Sequence, residues 1–381
     1  MLNIPKKIFL LPLLLPVAMI AAAPRTVPDA EHVVIYRQAG QYSAFPRFYH
    51  LDGGTLHALH VRFGARVTTS HLEPRSETKQ FISRDGGSTW QPTVYDARYP
   101  AWATGPTQPG RLVDANAHGW RYVEPERRAE FEARGIEVRD SPDGRVAYAY
   151  GCYVRISEDY GNTWTQREIP VPPKGLIMSF LGPATDLRLD ANTLLCAVYG
   201  KPTANIRFYE SWLLRSEDDG ATWDFSTIAA DPDKQRSFGE TAIEQAANGD
   251  IVAMMRTEPA LGSKMWTAHS TDRGKTWSKA VETSLHGHPA HLLTLRDGTM
   301  LCTYGFRDQP IGIRAALSRD HGRTWLEEDI VSLRSDGSGS ASDNGYPISA
   351  ELSDGTLVSV YYFTREGITG VEATRWQNPW K

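Results

Sequence analysis

The chain has 381 residues, of which 41% are hydrophobic, and its 32 glycines and 24 prolines supply many turns. This composition fits one large all-β domain. The net charge is −4 and no basic tract occurs, so nucleic acid is excluded as a predicted partner.

The N-terminal residues predict export from the cytoplasm. Lys6 and Lys7 precede the apolar run IFLLPLLLPVAMIAAA, which ends in small residues. A positive start, an apolar run and small residues form the layout of a secretory signal peptide, which we assign to residues 1–23. Pro12 and Pro16 interrupt the run, and it is short for a stable membrane span. We therefore expect a secreted or periplasmic protein.

From residue 32 onward, two kinds of hairpin alternate along the chain. The first kind is an apolar strand, an Asp-Gly-like turn and a second apolar strand, which is the strongest local signal for a β-hairpin. Its copies are FYHLDGGTLHALHV (48–61), RDSPDGRVAYAYG (139–151), DLRLDANTLLCAVY (186–199), IEQAANGDIVAMMR (243–256), LLTLRDGTMLCTYG (292–305) and SAELSDGTLVSVYY (349–362).

The second kind of hairpin carries the octet S-x-D-x-G-x-T-W. Its Ser and Asp side chains accept hydrogen bonds from nearby backbone N–H groups, its Gly supplies a positive φ, and Thr-Trp restarts a strand. Five copies favour architecture over a reaction site, because a repeat protein needs the same turn in each unit. The copies are SRDGGSTW (83–90), SEDYGNTW (157–164), SEDDGATW (216–223), STDRGKTW (270–277) and SRDHGRTW (318–325).

Together the hairpins predict a repeat of roughly four strands per unit. Such a repeat is typical of a β-propeller, and we predict a six-bladed β-propeller as a single domain over residues 32–381. The sixth unit has no octet. We expect its late strand GVEATRW (370–376) and the early strand HVVIYR (32–37) to complete the same blade.

One segment, residues 111–141, interrupts the repeat as an insertion. Its stretch VEPERRAEFEARG has good helix formers, early acidic residues and a Gly stop, so it predicts a short helix. An insertion of this kind either roofs a substrate pocket or decorates the surface.

The octets that follow an export signal resemble the Asp-box, or BNR, repeats of the bacterial sialidase (neuraminidase) superfamily of six-bladed propellers. The resemblance covers essentially the whole chain past residue 32. It implies an exo-glycosidase that acts on an anionic sugar without a cofactor. In that family three arginines hold the substrate carboxylate, a Tyr beside a Glu is the nucleophile, and an Asp is the general acid and base.

Four residues match the motifs of this family. GETAIEQAANGDIVAMMRTE resembles the segment with the Glu and the second arginine, which assigns those roles to Glu240 and Arg256. GIRAALSRDHGRTW assigns the third arginine to Arg314, and DNGYPISAELSDGTLVSVYY assigns the nucleophile to Tyr346. Tyr346 and Glu240 each stand nine residues ahead of the glycine of their hairpin, which predicts the same depth in two blades.

The first unit departs from the family pattern. Ala44 stands where the first arginine is expected, and Arg47 follows the next proline instead. The segment 60–81, which should supply the acid/base Asp, contains no Asp and offers Arg66 and His71 among other polar residues. We take His71 as a candidate catalytic residue and Arg47 and Arg66 as candidate substrate ligands.

The same residues also fit a polysaccharide lyase that cuts at a uronic acid. A lyase neutralises the carboxylate with a cation and removes the neighbouring proton with a His or Tyr. His71 and the cluster His286, His288 and His291 are candidates, and His288 is also a candidate substrate ligand. Three histidines at this spacing are alternatively a metal site.

The predicted partner in either reaction is an anionic oligosaccharide, and a non-catalytic glycan-binding propeller is a third alternative. Cys152, Cys196 and Cys302 lack metal-ligand spacing. We predict a monomer with no metal ion and no cofactor, and our first choice is the sialidase-like exo-glycosidase.

Overall fold

The structure, a computed structural model, describes residues 24–51, 58–71, 73, 75–94, 110–141, 143–159, 162–172, 175, 177–179, 186–203, 208–258, 264–338 and 344–381. The predicted signal peptide lies outside these residues. The regular structure is almost entirely β-strand, which confirms the all-β class. Within the described ranges, no helix is long and apolar enough to cross a bilayer.

The helical elements are one α-helix, α1 (Arg128–Ala133), and two 3-10 turns, Pro125–Arg127 and Glu327–Asp329. The strands of the first half are β1 (Arg25–Thr26), β2 (Glu31–Tyr36), β3 (Tyr42–Leu51), β4 (Ala58–Arg66), β5 (Ser76–Ser83), β6 (Gln91–Pro92), β7 (Leu112–Val123), β8 (Val138–Asp140), β9 (Val146–Ser157), β10 (Thr165–Ile169), β11 (Ile177–Ser179), β12 (Asp186–Arg188) and β13 (Leu194–Gly200).

The strands of the second half are β14 (Glu210–Ser216), β15 (Asp224–Ala229), β16 (Ser237–Gln245), β17 (Ile251–Glu258), β18 (Lys264–Ser270), β19 (Val281–His286), β20 (Ala290–Thr294), β21 (Met300–Phe306), β22 (Gly312–Ser318), β23 (Ile330–Arg334), β24 (Gly345–Glu351), β25 (Leu357–Arg365) and β26 (Ile368–Trp376).

Strand pairing groups the described strands into five sheets, and we number six units along them, of which two belong to one eight-stranded sheet. Unit 1 is β3–β6, unit 2 is β7–β10, unit 3 is β11–β15, unit 4 is β16–β19 and unit 5 is β20–β23, to which β1 adds in parallel. Unit 6 is β24–β26 with β2. Units 1 and 6 share one sheet, joined among the described residues by the single parallel pair Thr369 and Tyr42.

The early strand of the chain completes the last unit. β2 pairs antiparallel with β26, with Val33 opposite Ala373, which confirms the pairing predicted from the sequence. Units 2 to 6 pack in order, each on the next. β7 contacts β11, β16 contacts β13 and β20, and β24 contacts both β20 and β3, so unit 6 also packs on unit 1. Buried apolar residues from neighbouring units form common clusters, from units 1 and 6 in one and from units 4 and 5 in another.

The octets form turns that are closed by their own side chains. In the first, the backbone N–H of Gly87 donates to Ser83 Oγ (2.8 Å) and the N–H of Thr89 donates to Asp85 Oδ1 (3.0 Å). The indole of Trp90 donates to the carbonyl of Gly87 (3.1 Å). The Thr N–H to Asp bond recurs in the other four octets, and the indole bond recurs in the third and the fifth. In the fourth octet the indole nitrogen of Trp277 has no partner among the described residues. In the fourth octet, hydrogen bonds led by the hydroxyl of Thr276 lower the pKa of Asp272 to about 2.

In unit 4 the hairpin and the octet lie at the same end. β17 leaves its hairpin and runs to Glu258, and β18 runs back from Lys264 into an octet. Since these strands are antiparallel, the first-kind hairpin and the octet share one end, the hairpin end. The hairpin predicted at residues 139–151 is different, because β9 runs from its turn into an octet, which places that turn at the opposite end. The other end, the site end, carries the starts of β16 and β24 and the connections after β4, β17 and β21.

The segment 111–141 is only partly an insertion. Residues 112–123 are β7, which pairs with β9 along its length. The connection from β7 to β9 contains α1, and it lies at the site end because β9 runs into an octet. Phe131 of α1 is buried and stacks on Tyr148 of β9, with ring centroids 4.0 Å apart.

Candidate functional site

Glu240 and Tyr346 occupy the same kind of backbone irregularity. In β16 the pairing skips from Gly239 to Ala242, and in β24 it skips from Gly345 to Ile348. Each skip is a β-bulge, in which two residues face one on the neighbouring strand. Glu240 has φ 38° and Tyr346 has φ 50°, which is costly for residues with a Cβ. The equal spacing seen in the sequence therefore reflects two matching bulges.

The bulges bring three predicted residues into contact. The hydroxyl of Tyr346 donates to Glu240 Oε1 at 2.5 Å. The guanidinium of Arg256 donates to the other oxygen of Glu240 at 2.7 Å, and it also pairs with Glu258 at 3.3 Å. The carboxylate of Glu240 thus lies between a phenol and a cation, which orients it as a proton acceptor for the phenol.

The surroundings hold Tyr346 in its protonated form. Burial raises the pKa of Tyr346 well above its ordinary value, and the neighbouring charge of Glu240 raises it further. The charges of Arg256 and Arg307 oppose this shift without cancelling it. The phenol therefore needs a base before it can act as a nucleophile, and Glu240 is in place to take the proton.

A third bulge carries an aromatic residue in place of a polar one. The pairing of β3 with β4 skips from Ala44 to Arg47, and Phe45 has φ 56°. The Phe45 ring lies edge-on to Tyr346 at 4.9 Å and 5.2 Å from Tyr362. Ala44, at the position of the expected first arginine, is buried. The next residue, Phe45, forms an aromatic wall with Tyr346 and Tyr362.

Arg47 interacts with unit 2. Its charge acts on Asp114 of β7, which is buried and forms a salt bridge with Arg155. Burial raises the pKa of Asp114, and the two arginines oppose that shift. The structure does not give a contact between Arg47 and Tyr346, so a role in substrate binding stays a prediction.

His71 and Arg66 reach the aromatic wall from the connection between β4 and β5. His71 Nδ1 and the hydroxyl of Tyr42 are 3.1 Å apart, and the His71 ring lies 5.6 Å from Phe45. The guanidinium of Arg66 is 6.0 Å from the Phe45 ring and donates to the carbonyl of Glu73. His71 thus contacts Phe45, the ring that also contacts Tyr346, and it lies in the segment that replaces the Asp of the family pattern.

His288 is a buried histidine next to two arginines. Neither of its ring nitrogens has a hydrogen-bond partner among the described residues. Burial, followed by the charges of Arg256 and Arg307, lowers the pKa of His288 to about 2, so its ring is neutral. A neutral imidazole with unsatisfied nitrogens is suited to bind a ligand group that both donates and accepts.

The other two histidines of the cluster point to different partners. His286 pairs with Asp308 at 2.8 Å, and His291 Nδ1 accepts from the backbone N–H of Ser349 at 3.4 Å. In the part of the chain that the structure describes, no three His, Cys, Asp or Glu side chains form a group able to hold a metal ion. The metal alternative for the three histidines is therefore wrong for the described residues.

Arg307 is a further arginine near Tyr346 that the sequence motifs do not predict. It follows β21, its guanidinium donates to the carbonyl of Asn344 at 3.1 Å, and its charge acts on Tyr346 and His288. Arg314, the predicted third arginine, instead lies over the ring of Phe306, 3.2 Å from its centroid. The sequence signal for Arg307 is its position just past the second strand of a first-kind hairpin, close to the position that Arg256 has in unit 4.

A family model described as BNR repeat-like domain matches residues 138–360. The chain belongs to this family. It is a sialidase-like Asp-box protein, as the octets predict. The matched range includes Glu240, Arg256 and Tyr346, whereas Phe45 and His71 lie outside it. Unit 1 thus lies outside the part of the chain that the family model matches.

Solved structures share the fold over most of the chain. A protein of unknown function from Dyadobacter fermentans has 26% sequence identity and a TM-score of 0.68, over 92% of this chain and 99% of that chain. A NanB sialidase mutant from Streptococcus pneumoniae has 14% identity and a TM-score of 0.56, over 91% and 70%. An alpha-L-arabinanase from Penicillium chrysogenum has 14% identity and a TM-score of 0.54, over 92% and 99%. No curated protein matches the chain.

Proposed function

We propose that this protein is a retaining exo-glycosidase that releases an anionic terminal sugar, sialic acid or a related acid, from a glycan. The observation that carries the proposal is the hydrogen bond from the Tyr346 hydroxyl to Glu240, with Arg256 on the second oxygen of that carboxylate. The sialidase and arabinanase folds of the structural neighbours support a glycosidase-like enzyme.

In the first step, the Tyr346 oxygen attacks the anomeric carbon, and the bond from that carbon to the leaving-group oxygen breaks. The phenol proton passes to Glu240, which already accepts it in a hydrogen bond. A proton from the imidazolium of His71 goes to the leaving-group oxygen. A neutral phenol suits an anionic sugar, because a carboxylate nucleophile would repel it.

In the second step, a water molecule attacks the anomeric carbon from the side of the departed group. Neutral His71 takes the proton of this water, and the bond between the sugar and Tyr346 breaks. The Tyr346 oxygen recovers its proton from Glu240. Two displacements at the same carbon retain its configuration.

The cations near Tyr346 support an anionic substrate. Arg256 and Arg307 both act electrostatically on Tyr346, and each is planar and able to form paired hydrogen bonds with a carboxylate. His288 lies within the field of the same two arginines and offers an N–H donor. Arg314, Arg47 and Arg66 remain candidates for further contacts.

Covalent trapping tests this mechanism. A 3-fluoro sialosyl fluoride should leave its sugar mass on the peptide that contains Tyr346, because the fluorine slows breakdown of the intermediate. Tyr362→Phe is the matched control, since its ring is 5.6 Å from Tyr346 on the same wall and labelling should persist. Labelling that is absent in a protein active on sialosides, or that survives Tyr346→Phe, would contradict the proposal.

One observation favours a second candidate, a lyase that acts at a uronic acid. His71 lies at 3.1 Å from the hydroxyl of Tyr42, and a His–Tyr pair beside an arginine can remove the proton next to a neutralised carboxylate. The electron pair then forms a double bond as the glycosidic oxygen leaves with a proton. A new ultraviolet absorbance from rhamnose–glucuronate glycans would identify this reaction, whereas free sialic acid would identify the hydrolase.

We infer that the six units are the blades of one propeller whose axis passes the bulges of β3, β16 and β24. The packing of units 2 to 6 in order, and of unit 6 on unit 1, supports this arrangement. A crystal structure would test it by showing whether units 1 and 2 also meet.

We also propose that the reaction takes place outside the cytoplasm. The charge and apolar pattern of residues 1–23 support export. N-terminal sequencing of protein recovered from the periplasm or medium would give the cleavage site. Intact residues 1–23 on protein that stays in the cytoplasm would contradict export.

A further inference from the structure

A cavity of about 500 Å³ lies at the site end of unit 2, apart from Tyr346. Its volume is within the range of small-molecule sites. Phe131 of α1, Tyr148 of β9, Ile169 and Val171 supply apolar surface to its lining. Gly151 also lines it, and a Cβ added there would meet no atom within 4 Å.

The polar groups of the cavity are held in place at its rim. The guanidinium groups of Arg127 and Arg134 lie 5.4 and 5.7 Å from the Phe131 ring, and both pair with Glu130, at 2.8 and 3.8 Å. Glu168 adds a second carboxylate to the lining. An apolar ring wall beside fixed planar donors and acceptors is suited to the C–H face and the hydroxyl groups of a sugar.

The charges favour an uncharged sugar in this cavity. Two arginines and two glutamates line it, so their formal charges cancel. An anionic residue would meet repulsion from the two carboxylates that offsets the attraction of the guanidinium groups. The cavity therefore differs from the surroundings of Tyr346, where the charges of Arg256 and Arg307 favour an anion.

The segment 199–203 contacts both the lining of this cavity and the surroundings of Glu240. Gly175 lines the cavity and packs so closely on the Lys201 carbonyl that no side chain would fit there. Tyr199 packs on Gly239, next to Glu240, where an added Cβ would lie 3.3 Å from its ring. Two residues of extended chain, from Tyr199 to Lys201, span at most about 7 Å, so the two contacts lie close together along the chain.

We propose that this cavity binds the uncharged hexose or N-acetylhexosamine residues on the leaving-group side of the glycan. This subsite rests on the proposed function, because the terminal anionic sugar would lie at Tyr346. The connection that carries α1 thereby selects the chain to which the terminal sugar is attached. Its link to unit 3, the salt bridge of Glu137 with Lys201 at 3.4 Å, holds the cavity in position.

The kinetic test compares a long and a short substrate. Val171→Trp fills the cavity, and the double variant Arg127→Ala with Arg134→Ala removes the rim donors. Both should raise KM for sialyllactose by roughly tenfold with kcat unchanged, and neither should alter hydrolysis of an aryl sialoside. Arg128→Ala is the matched control, because Arg128 is on the same helix but pairs with Glu132 and Asp140 outside the cavity. Equal effects on both substrates, or on neither, would overturn the proposal.

A binding test keeps the subsite separate from the chemistry. Saturation-transfer NMR with lactose and N-acetyllactosamine should give a signal with the wild type, with Tyr346→Phe and with Arg128→Ala. The signal should disappear in the folded double variant and in Val171→Trp. This result would support the subsite even if no sialoside is cleaved, which would refute only the proposed reaction. A wild type that gives no signal, or variants that keep it, would overturn the subsite.

Discussion

The hairpin end and the site end of the units differ in sequence and in hydrogen bonding. At the hairpin end the same octet occurs five times, and its Ser, Asp and Thr side chains are hydrogen-bonded within the turn. At the site end the connections differ from unit to unit. Glu240 and Tyr346 have positive φ there, and His288 has no hydrogen-bond partner within the described ranges.

This difference assigns stability of the fold to the hairpin end and the proposed reaction to the site end of the same sheets. Repetition at the hairpin end stabilises the same turn in five of the six units. Irregular backbone and unsatisfied polar groups at the site end cost stability, and such costs are typical of functional sites. Changes at the hairpin end should therefore affect unfolding, and changes at the site end should affect turnover.

The largest expected effect is that of Tyr346→Phe. The variant keeps the ring that packs on Phe45 and loses the oxygen that attacks the anomeric carbon. We expect kcat to fall by at least about 10³-fold, because a site without its nucleophile can still bind and orient the substrate but cannot attack it. The melting temperature should stay close to that of the wild type, and binding of a substrate analogue by calorimetry should be nearly unchanged.

A Tyr346→Phe variant that loses its fold together with its activity would contradict the difference between the hairpin end and the site end. Circular dichroism and thermal melting of the same sample distinguish this outcome from a loss of chemistry. Tyr362→Phe serves again as the control, since it removes a hydroxyl from the same wall without touching Glu240.

The second effect is a loss of stability in mild acid that comes from the site end. Burial lowers the pKa of His288 to about 2 and of His291 to about 3, while an unfolded histidine titrates near 6.5. Because the folded pKa lies below the unfolded one, this stability is complete above pH 6.5 and is lost as the pH falls. Each histidine should cost roughly 1 kcal/mol per pH unit below 6.5.

The octet carboxylates should respond at a lower pH. Asp85 and Asp272 have pKa values of about 2, so their stability is lost only as the pH falls from about 4 towards 2. Urea unfolding of the wild type and of His288→Asn at pH 7.5, 6.5 and 5.5 isolates the contribution of His288, because the other groups that titrate in this range, among them Glu244 with a pKa raised by burial to about 7, are common to both proteins. His288→Asn should reduce the slope by roughly 1 kcal/mol per pH unit, and an unchanged slope would show that His288 is not buried in its neutral form.

Much of the fold is predictable because its signals are local. The residues that form each Asp-Gly-like turn or octet lie within a few positions of one another in the sequence, and they show where strands begin and end. Hydrogen bonds inside each octet fix its shape without contacts from the rest of the chain. The pairing of β2 with β26 was also predicted, since the sixth unit lacked a strand. The relative depth of Tyr346 and Glu240 followed from equal spacing to two hairpin turns.

The rest of the site depends on contacts that no local pattern encodes. Arg307 acts on Tyr346 because the loop after β21 places its guanidinium on the carbonyl of Asn344, 37 residues away. The aromatic wall exists because a bulge in β3 turns Phe45 towards unit 6. Both features arise from the packing of different units, whereas the motifs lie within single units.

The third effect concerns the hairpin end. Asp218 accepts hydrogen bonds from the backbone N–H of Thr222 at 2.7 Å and from its hydroxyl at 2.6 Å. Asp218→Ala should lower the free energy of unfolding by about 1–3 kcal/mol, because a turn donor loses its acceptor. Asp224→Ala, an exposed change just after the octet, is the control for loss of charge. Turnover per folded molecule should stay the same, and a stable variant with reduced turnover would refute the architectural role.

The smallest expected effect decides which arginine completes the anion site. Arg307→Lys and Arg314→Lys both keep a positive charge and lose the planar fork that pairs with a carboxylate. Because the charge of Arg307 acts on Tyr346 and His288, we expect Arg307→Lys to weaken binding of an anionic substrate analogue by about tenfold. Arg314 lies over Phe306, so Arg314→Lys should change binding by less.

Calorimetric titration of both variants with an anionic analogue and its neutral counterpart measures this difference. Loss of affinity confined to the anionic ligand and larger for Arg307→Lys would place the carboxylate between Arg256, Arg307 and His288. The reverse order would return that role to Arg314, the arginine that the sequence predicts. Equal losses for both ligands would mean that these arginines shape the site end without binding the carboxylate, and the anionic substrate would then have to be abandoned.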